Sequence, residues 1–87
     1  MEVNILKDLK NEMELEVENS TIVEILRVYL NKDSSVNFAA WRRDHPTKKP
    51  VLAVKTNGKT PKKAVADAVN LITKDLDKVE GDFKKLK

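Results

Sequence analysis

Catalysis, metal binding and phosphate binding each demand particular side chains at particular spacings. His45 is the one histidine of the chain and stands between Asp44 and Pro46. An imidazole beside a carboxylate could shuttle a proton or supply two metal ligands, but a zinc site takes three or four protein ligands. With no cysteine and no second histidine, the sequence has nothing to complete one. Glu12, Glu14, Glu16 and Glu18 alternate with Met13, Leu15 and Val17. Carboxylates at that period share one face of a strand, and the simplest reading is the wet face of an antiparallel strand rather than an acid–base array. Gly58 and Gly81 are the only glycines, so neither a dinucleotide fingerprint nor a P-loop can be written. The chain is expected to carry no catalytic residues, no metal and no cofactor of its own.

Charge offers a second kind of chemistry. Residues 1–33 hold four basic and eight acidic side chains, a balance of −4, and residues 64–87 hold five of each. Between them Arg42, Arg43, Lys48, Lys49, Lys55, Lys59, Lys62 and Lys63 face Asp44 alone, a local +7 that could steer an acidic partner or a phosphate backbone. Small nucleic-acid binders often join such a stretch to several stacking aromatics. This chain has four aromatics, and Tyr29 and Phe83 fall on apolar helix faces. A partner-facing electrostatic surface is the preferred reading; a self-dimerising basic nucleic-acid-binding module is the alternative.

The elements that position these residues follow from periodicity. Val3 to Leu6 and the alternating stretch through Val17 predict an N-terminal hairpin turning at 8–11. A helix should run from an N-cap at Ser20 or Thr21 to about Lys32. Seven of the nine residues from Ile22 to Leu30 are apolar, with Glu24 and Arg27 sharing one edge. A helix apolar around most of its girth is covered on both sides. Val36 to Arg43 and Val51 to Thr56 predict a second hairpin, the first strand closed by Pro46 and the second by Asn57-Gly58. Ala39 and Trp41 oppose Phe38 and Ala40, so this sheet is apolar on both faces there, with Trp41 a packing residue.

Thr60 as N-cap and Pro61 at the first helical position open a final helix. Val65, Val69, Ile72, Leu76, Val79, Phe83 and Leu86 recur at alternating spacings of four and three, the seam of helix-on-helix packing. At 1.5 Å per residue this helix would reach roughly 39 Å, about twice a typical strand, and overhang its sheet. Gly81 predicts a bend or fraying near its end. The whole is a two-layer α+β arrangement, β-β-α-β-β-α, in one domain spanning 1–87.

Eighty-seven residues that are 40% hydrophobic and 36% charged fold, but bury only about 60–65% of the surface their unfolded chain exposes. The opening residues lack a signal-peptide pattern, and no apolar run approaches the ~20 residues that cross a bilayer, which predicts a cytoplasmic protein without a membrane partner. Excess apolar helix surface without an active site predicts a protein that works by pairing, through Ile22, Ile25, Leu26 and Tyr29 of the first helix and the seam of the second.

Three motifs then resemble one family. Ser20-Thr21-Ile22-Val23-Glu24-Ile25-Leu26-Arg27 resembles His-Thr-Leu-x-Asn-x-Leu-Arg; Phe38-Ala39-Ala40-Trp41 followed by Asp44-His45-Pro46 resembles Phe-Ala-Ala-Tyr followed by Asp-His-Pro; Thr60-Pro61 with Ala64 resembles Thr-Pro-x-x-Ala. These are motifs of archaeal RNA polymerase subunit L, similar to the eleventh subunit of eukaryotic RNA polymerase II and to the dimerisation domain of the bacterial alpha subunit. Ser20 and Glu24 depart from the pattern, as does Thr47-Lys48-Lys49-Pro50. The resemblance implies a non-catalytic assembly subunit that forms an alpha-like heterodimer with the polymerase's D subunit and scaffolds the large subunits, which hold the nucleotidyltransferase site. DNA would be met only through the whole enzyme, and the isolated chain could pair with itself.

Overall fold

The computed structural model describes residues 3–85, with side chains of the last helix described as far as Lys78. Its elements are β1 (Val3–Asp8), β2 (Glu12–Val17), α1 (Ser20–Leu30), β3 (Val36–Arg42), β4 (Val51–Thr56) and α2 (Pro61–Lys85). The strands form one antiparallel sheet in the order β1-β2-β4-β3. The β3–β4 hairpin therefore docks on the first through β4, leaving β1 and β3 at the edges.

Strand alternation builds the core. Met13 lies opposite Val54, which lies opposite Ala39; Leu15, Leu52 and Trp41 form the next row. All point to the helix side, where Val23, Leu26 and Leu30 of α1 and Ala64 and Ala68 of α2 meet them. Phe38 is turned to the opposite face and stays 47% exposed. That outer face carries the glutamates, and they are not simply solvated. Lys7 reaches Glu12 at 3.1 Å, Asn4 Nδ2 donates to Glu16 at 3.2 Å, and Arg42 Nη2 donates to Glu14 at 2.9 Å. Arg42 stands opposite Val51 and reaches Glu14 diagonally across β4, past Ala53, the residue opposite Glu14.

Local signals place most element ends, with four corrections. The N-cap of α1 is Asn19, whose Oδ1 accepts from Thr21 N at 2.8 Å and Ile22 N at 3.2 Å. An asparagine one residue earlier satisfies two orphan donors, so Ser20 becomes helical instead of capping, and α1 ends at Leu30 rather than Lys32. β1 continues past Leu6 to Asp8 because an irregularity between Ile5 and Lys7 absorbs one residue and restores pairing. Gly81 does not interrupt α2, which runs through it to Lys85; the roughly 1 kcal/mol glycine cost is small against a helix already nucleated by about five turns. Thr60 caps α2 as its sequence suggests, accepting Lys63 N on Oγ1 at 3.2 Å.

Lys59 ties the second helix to the first half of the chain. Its ammonium donates to Asp33 Oδ2 at 2.6 Å, in the turn after α1, and to Asp67 Oδ2 at 2.8 Å on α2. Lys63 adds a 3.0 Å pair to Asp67. These hydrogen bonds from Lys59 hold both carboxyls below their ordinary range.

The side of α2 laid against the sheet is marked by Pro61, Ala64 and Ala68, all buried. The bulky seam lies beside this contact, with Val65 and Ile72 half-buried and Val69 and Leu76 exposed, because small side chains allow closest approach and bulky ones are displaced to the flank. Ala68→Leu should therefore wedge α2 off the sheet and cost about 1–3 kcal/mol in urea denaturation, whereas Ala66→Leu on the exposed side should stay within about 0.5 kcal/mol of the parent. Equal losses would place the contact face elsewhere.

Candidate docking face

The displaced seam does not stand alone. Val65, Val69, Ile72 and Leu76 of α2 face Ile22, Ile25 and Leu26 of α1 across an open groove of about 300 Å³, floored by Leu15 and Val17 and bordered by Val3. Among the described residues Thr73 is the one polar side chain lining it, and its hydroxyl donates back to the Val69 carbonyl at 3.0 Å. A lining of this kind fits apolar surface. Val3 is 47% exposed, Ile25 37%, Val69 46% and Leu76 64%, so large side chains ring a concavity that the described residues leave open.

Whole-molecule area agrees. A self-contained 9.9 kDa domain is expected to expose about 5200 Å², and this chain exposes 6078 Å². The surplus of roughly 900 Å² is the size of one partner's share in a standard protein interface. The radius of gyration, 14.3 Å, likewise exceeds the ~12 Å of a compact chain this long.

Seven of the eleven residues expected to pair gather here: Ile22, Ile25, Leu26, Val65, Val69, Ile72 and Leu76. Leu26 is itself a core residue, 6% exposed. Tyr29 is not in the groove. Its hydroxyl donates to Asp75 Oδ2 at 2.6 Å, which raises the phenol above its ordinary pKa, and Lys32 Nζ lies 4.6 Å from the ring centre. The side chains of Val79 and Phe83, and all of Leu86, lie outside the described residues. Helical periodicity missed Val3, Leu15, Val17 and Thr73. Leu15 and Val17 sit on the alternating apolar face, which was a usable signal, whereas Val3 depends on which strand ends the sheet.

The basic stretch is not one patch. Arg42, Arg43, Lys48 and Lys49 cluster where β4 begins, while Lys55, Lys59, Lys62 and Lys63 lie where it ends, roughly 20 Å away along six residues of strand. Several are already engaged: Arg42 with Glu14 and Asp44, Lys59 with Asp33 and Asp67, Lys63 with Asp67, and Lys55 5.6 Å from the Phe38 ring centre. His45 is exposed, its Nδ1 accepting from Thr47 N at 3.2 Å and lying 2.8 Å from Thr47 Oγ1. Among the described residues no group of three or more His, Cys, Asp or Glu side chains gathers where a metal could be held, and no helix is long and apolar enough to cross a membrane.

The comparisons with known proteins point to a dimerisation domain. The family model for the RNA polymerase Rpb3/Rpb11 dimerisation domain matches residues 10–82. The chain belongs to this family. It is 32% identical to DNA-directed RNA polymerase subunit Rpo11 of Sulfurisphaera tokodaii, over 99% of this chain and 97% of the relative. It is 33% identical to the Rpo11 of Methanosarcina barkeri, over 98% and 96%. Its fold matches that of RNA polymerase subunit L from Thermoplasma acidophilum with a TM-score of 0.86, covering 97% of this chain and 86% of that one at 23% identity.

Glu24, where the polymerase motif has asparagine, has a structural role of its own. It accepts Trp41 Nε1 at 2.6 Å and takes Arg27 Nε on both oxygens at 3.0 and 3.1 Å; Arg27 Nη2 donates to it as well. The carboxylate thus ties α1 to β3 through the residue that stands at the motif's tyrosine. Arg27 first, then Trp41, hold the Glu24 carboxyl down at about 2 from an ordinary 4.5. A carboxyl lowered on folding contributes stability that is present above its ordinary value and lost as pH falls from about 4.5 to about 2. The urea midpoint of the parent chain should therefore drop more than that of Glu24→Gln between about pH 5 and pH 2.5. Parallel pH profiles would exclude this ion pair as a source of acid sensitivity.

Proposed function

We propose that this chain is a non-catalytic assembly subunit of an archaeal DNA-directed RNA polymerase, pairing with the polymerase's D subunit through the groove between α1 and α2. The pair would act as an alpha-type scaffold for the large subunits, which hold the nucleotide-joining chemistry, and would meet DNA only within the cytoplasmic holoenzyme. The observation that carries this reading is the open apolar groove, ringed by half-exposed Ile25, Val69 and Leu76 in a chain with a surplus of exposed surface. Family membership supports it, since the matched unit is described by its dimerisation. α2 overhangs the sheet and can lie along a second protein rather than along its own strands.

Charge placed on the groove tests this. Leu26→Glu would strike the core, so Ile25→Glu and Leu76→Glu are the informative variants. In the free chain each should shift stability little, because both sites already meet water. Across an interface an unpaired carboxylate should cost about 3 kcal/mol or more, a roughly hundredfold loss of affinity. Co-expression with the D subunit followed by size exclusion should show the pair for the parent and separate chains for both variants. A stable pair in both variants would reject the groove as the pairing surface, and a self-paired parent that ignores this alpha-type partner would reject the named partner.

A further inference from the structure

We propose that the loop between β3 and β4, residues 43–48, is a docking site for a short acidic segment of another polymerase subunit, gripped by Arg43, His45 and Lys48. Residues 42–48 hold Arg42, Arg43 and Lys48 against Asp44 alone, a balance of +2. Pairing within the fold leaves that excess uncompensated. Asp44 Oδ1 accepts from Arg42 Nε at 3.0 Å, and Glu14 on β2 takes Nη2 of the same guanidinium at 2.9 Å. Two carboxylates thus serve the one arginine that belongs to the strand. Arg43 and Lys48 are exposed and have no ion pair among the described residues.

Internal hydrogen bonds hold the loop in one shape. Lys48 N donates to the His45 carbonyl at 2.8 Å, closing a turn over Pro46 and Thr47, and the proline ring fixes φ at the first of these two. Thr47 N donates to His45 Nδ1 at 3.2 Å, so a neutral His45 carries its ring proton on Nε2, where an exposed side chain can donate it. At the base of the loop Pro50 is buried, and its carbonyl accepts from Val17 N at 2.9 Å. Arg43 lies two residues before His45 and the turn brings Lys48 close behind it, so successive donors are rooted within about 7 Å of one another. Alternate carboxylates along an extended segment have about the same spacing. A preformed turn would bind such a segment without the cost of ordering its own backbone. Nucleic acid is the poorer fit. The loop holds no aromatic on which a base could stack, and Trp41 beside it is half-buried with Nε1 given to Glu24. The second basic group lies roughly 20 Å away along β4, with Lys59 and Lys63 already held by Asp33 and Asp67, so the cationic track a phosphate backbone would follow is broken.

The source of the segment rests on the polymerase reading; the loop itself can be tested without it. The probe is a peptide of about eight residues alternating glutamate and serine, with a glutamine–serine peptide as control and single-stranded DNA of about eight nucleotides as the competing ligand. Amide NMR shifts of the full chain report binding. The glutamate peptide should move the amides of residues 43–48, bind less tightly as salt rises, and bind about tenfold more weakly to the double variant Arg43→Gln with Lys48→Gln. Exchanging the two cations, Arg43→Lys with Lys48→Arg, should keep binding. So should Lys62→Gln with Lys63→Gln, and Leu76→Glu, which separates the loop from the other basic group and from the pairing groove. In the assembled polymerase, carbodiimide cross-linking should join Lys48 to a carboxylate of another subunit. Equal binding of both peptides, a glutamine double variant that binds like the parent, or tighter binding of DNA at the loop overturns the proposal. So does an assembled polymerase in which Lys48 forms no such cross-link, even if pairing through the groove stands.

Discussion

A sheet of four short strands can seat only so much helix, and that limit governs the rest of this molecule. α2 has 25 residues, close to 38 Å at helical rise, while the strands beneath it span about 20 Å. The chain answers by seating only the Pro61–Ala68 end closely, with small residues at the contact. Close seating of that end throws the bulky seam sideways, toward α1. The groove is thus a consequence of where the alanines are, not a cavity added to a finished fold.

The same geometry explains why α1 is apolar on nearly all sides. Val23, Leu26 and Leu30 face the sheet and are buried; Ile22 and Ile25 turn to the groove. The two polar residues on its edge are used structurally. Glu24 fastens Trp41 and Arg27, which fixes the rotation of α1 over β3 and so the direction in which Ile22 and Ile25 point. At the other end of the sheet the Asp33–Lys59–Asp67 cluster links the turn after α1 to the start of α2. These ties are part-buried and still meet water, and ion pairs screened in this way contribute modestly to stability. Their consequence is orientation: both walls of the groove are held from behind.

Much of this was legible in the residues. Strict alternation at Met13, Leu15 and Val17 marks the inner face of β2, Thr60-Pro61 marks the start of α2, and the crowding of apolar residues from Ile22 to Leu30 marks a helix with two things to cover. What periodicity cannot show is which of two neighbouring helical faces lies closer to a sheet. The seam through Val65, Val69, Ile72 and Leu76 was visible, but its role turned on Ala64 and Ala68, whose small size matters only once a second layer is present. Nor could sequence order show that the basic stretch divides at β4. Residues adjacent along a chain are separated when a strand runs between them, and one apparent +7 becomes two smaller groups partly met by carboxylates. Val3 and β1 were harder still, since the edge of a sheet is a property of strand order.

A groove built in this way is available before any partner arrives. Val65 and Ile72 are already half-buried against α1, and Leu26 is nearly wholly buried beneath them, so the walls are packed elements rather than segments that must fold on contact. Association then bears the loss of rigid-body freedom and of a few side-chain rotamers at Ile25, Val69 and Leu76, without the larger cost of ordering backbone. A preformed groove lined by apolar side chains can support specific pairing on those terms. Charge has a different part to play. The acidic outer face of β2 and the two basic groups at either end of β4 lie away from the groove, so they can steer and orient other chains through encounter rates while the apolar centre sets how long they stay.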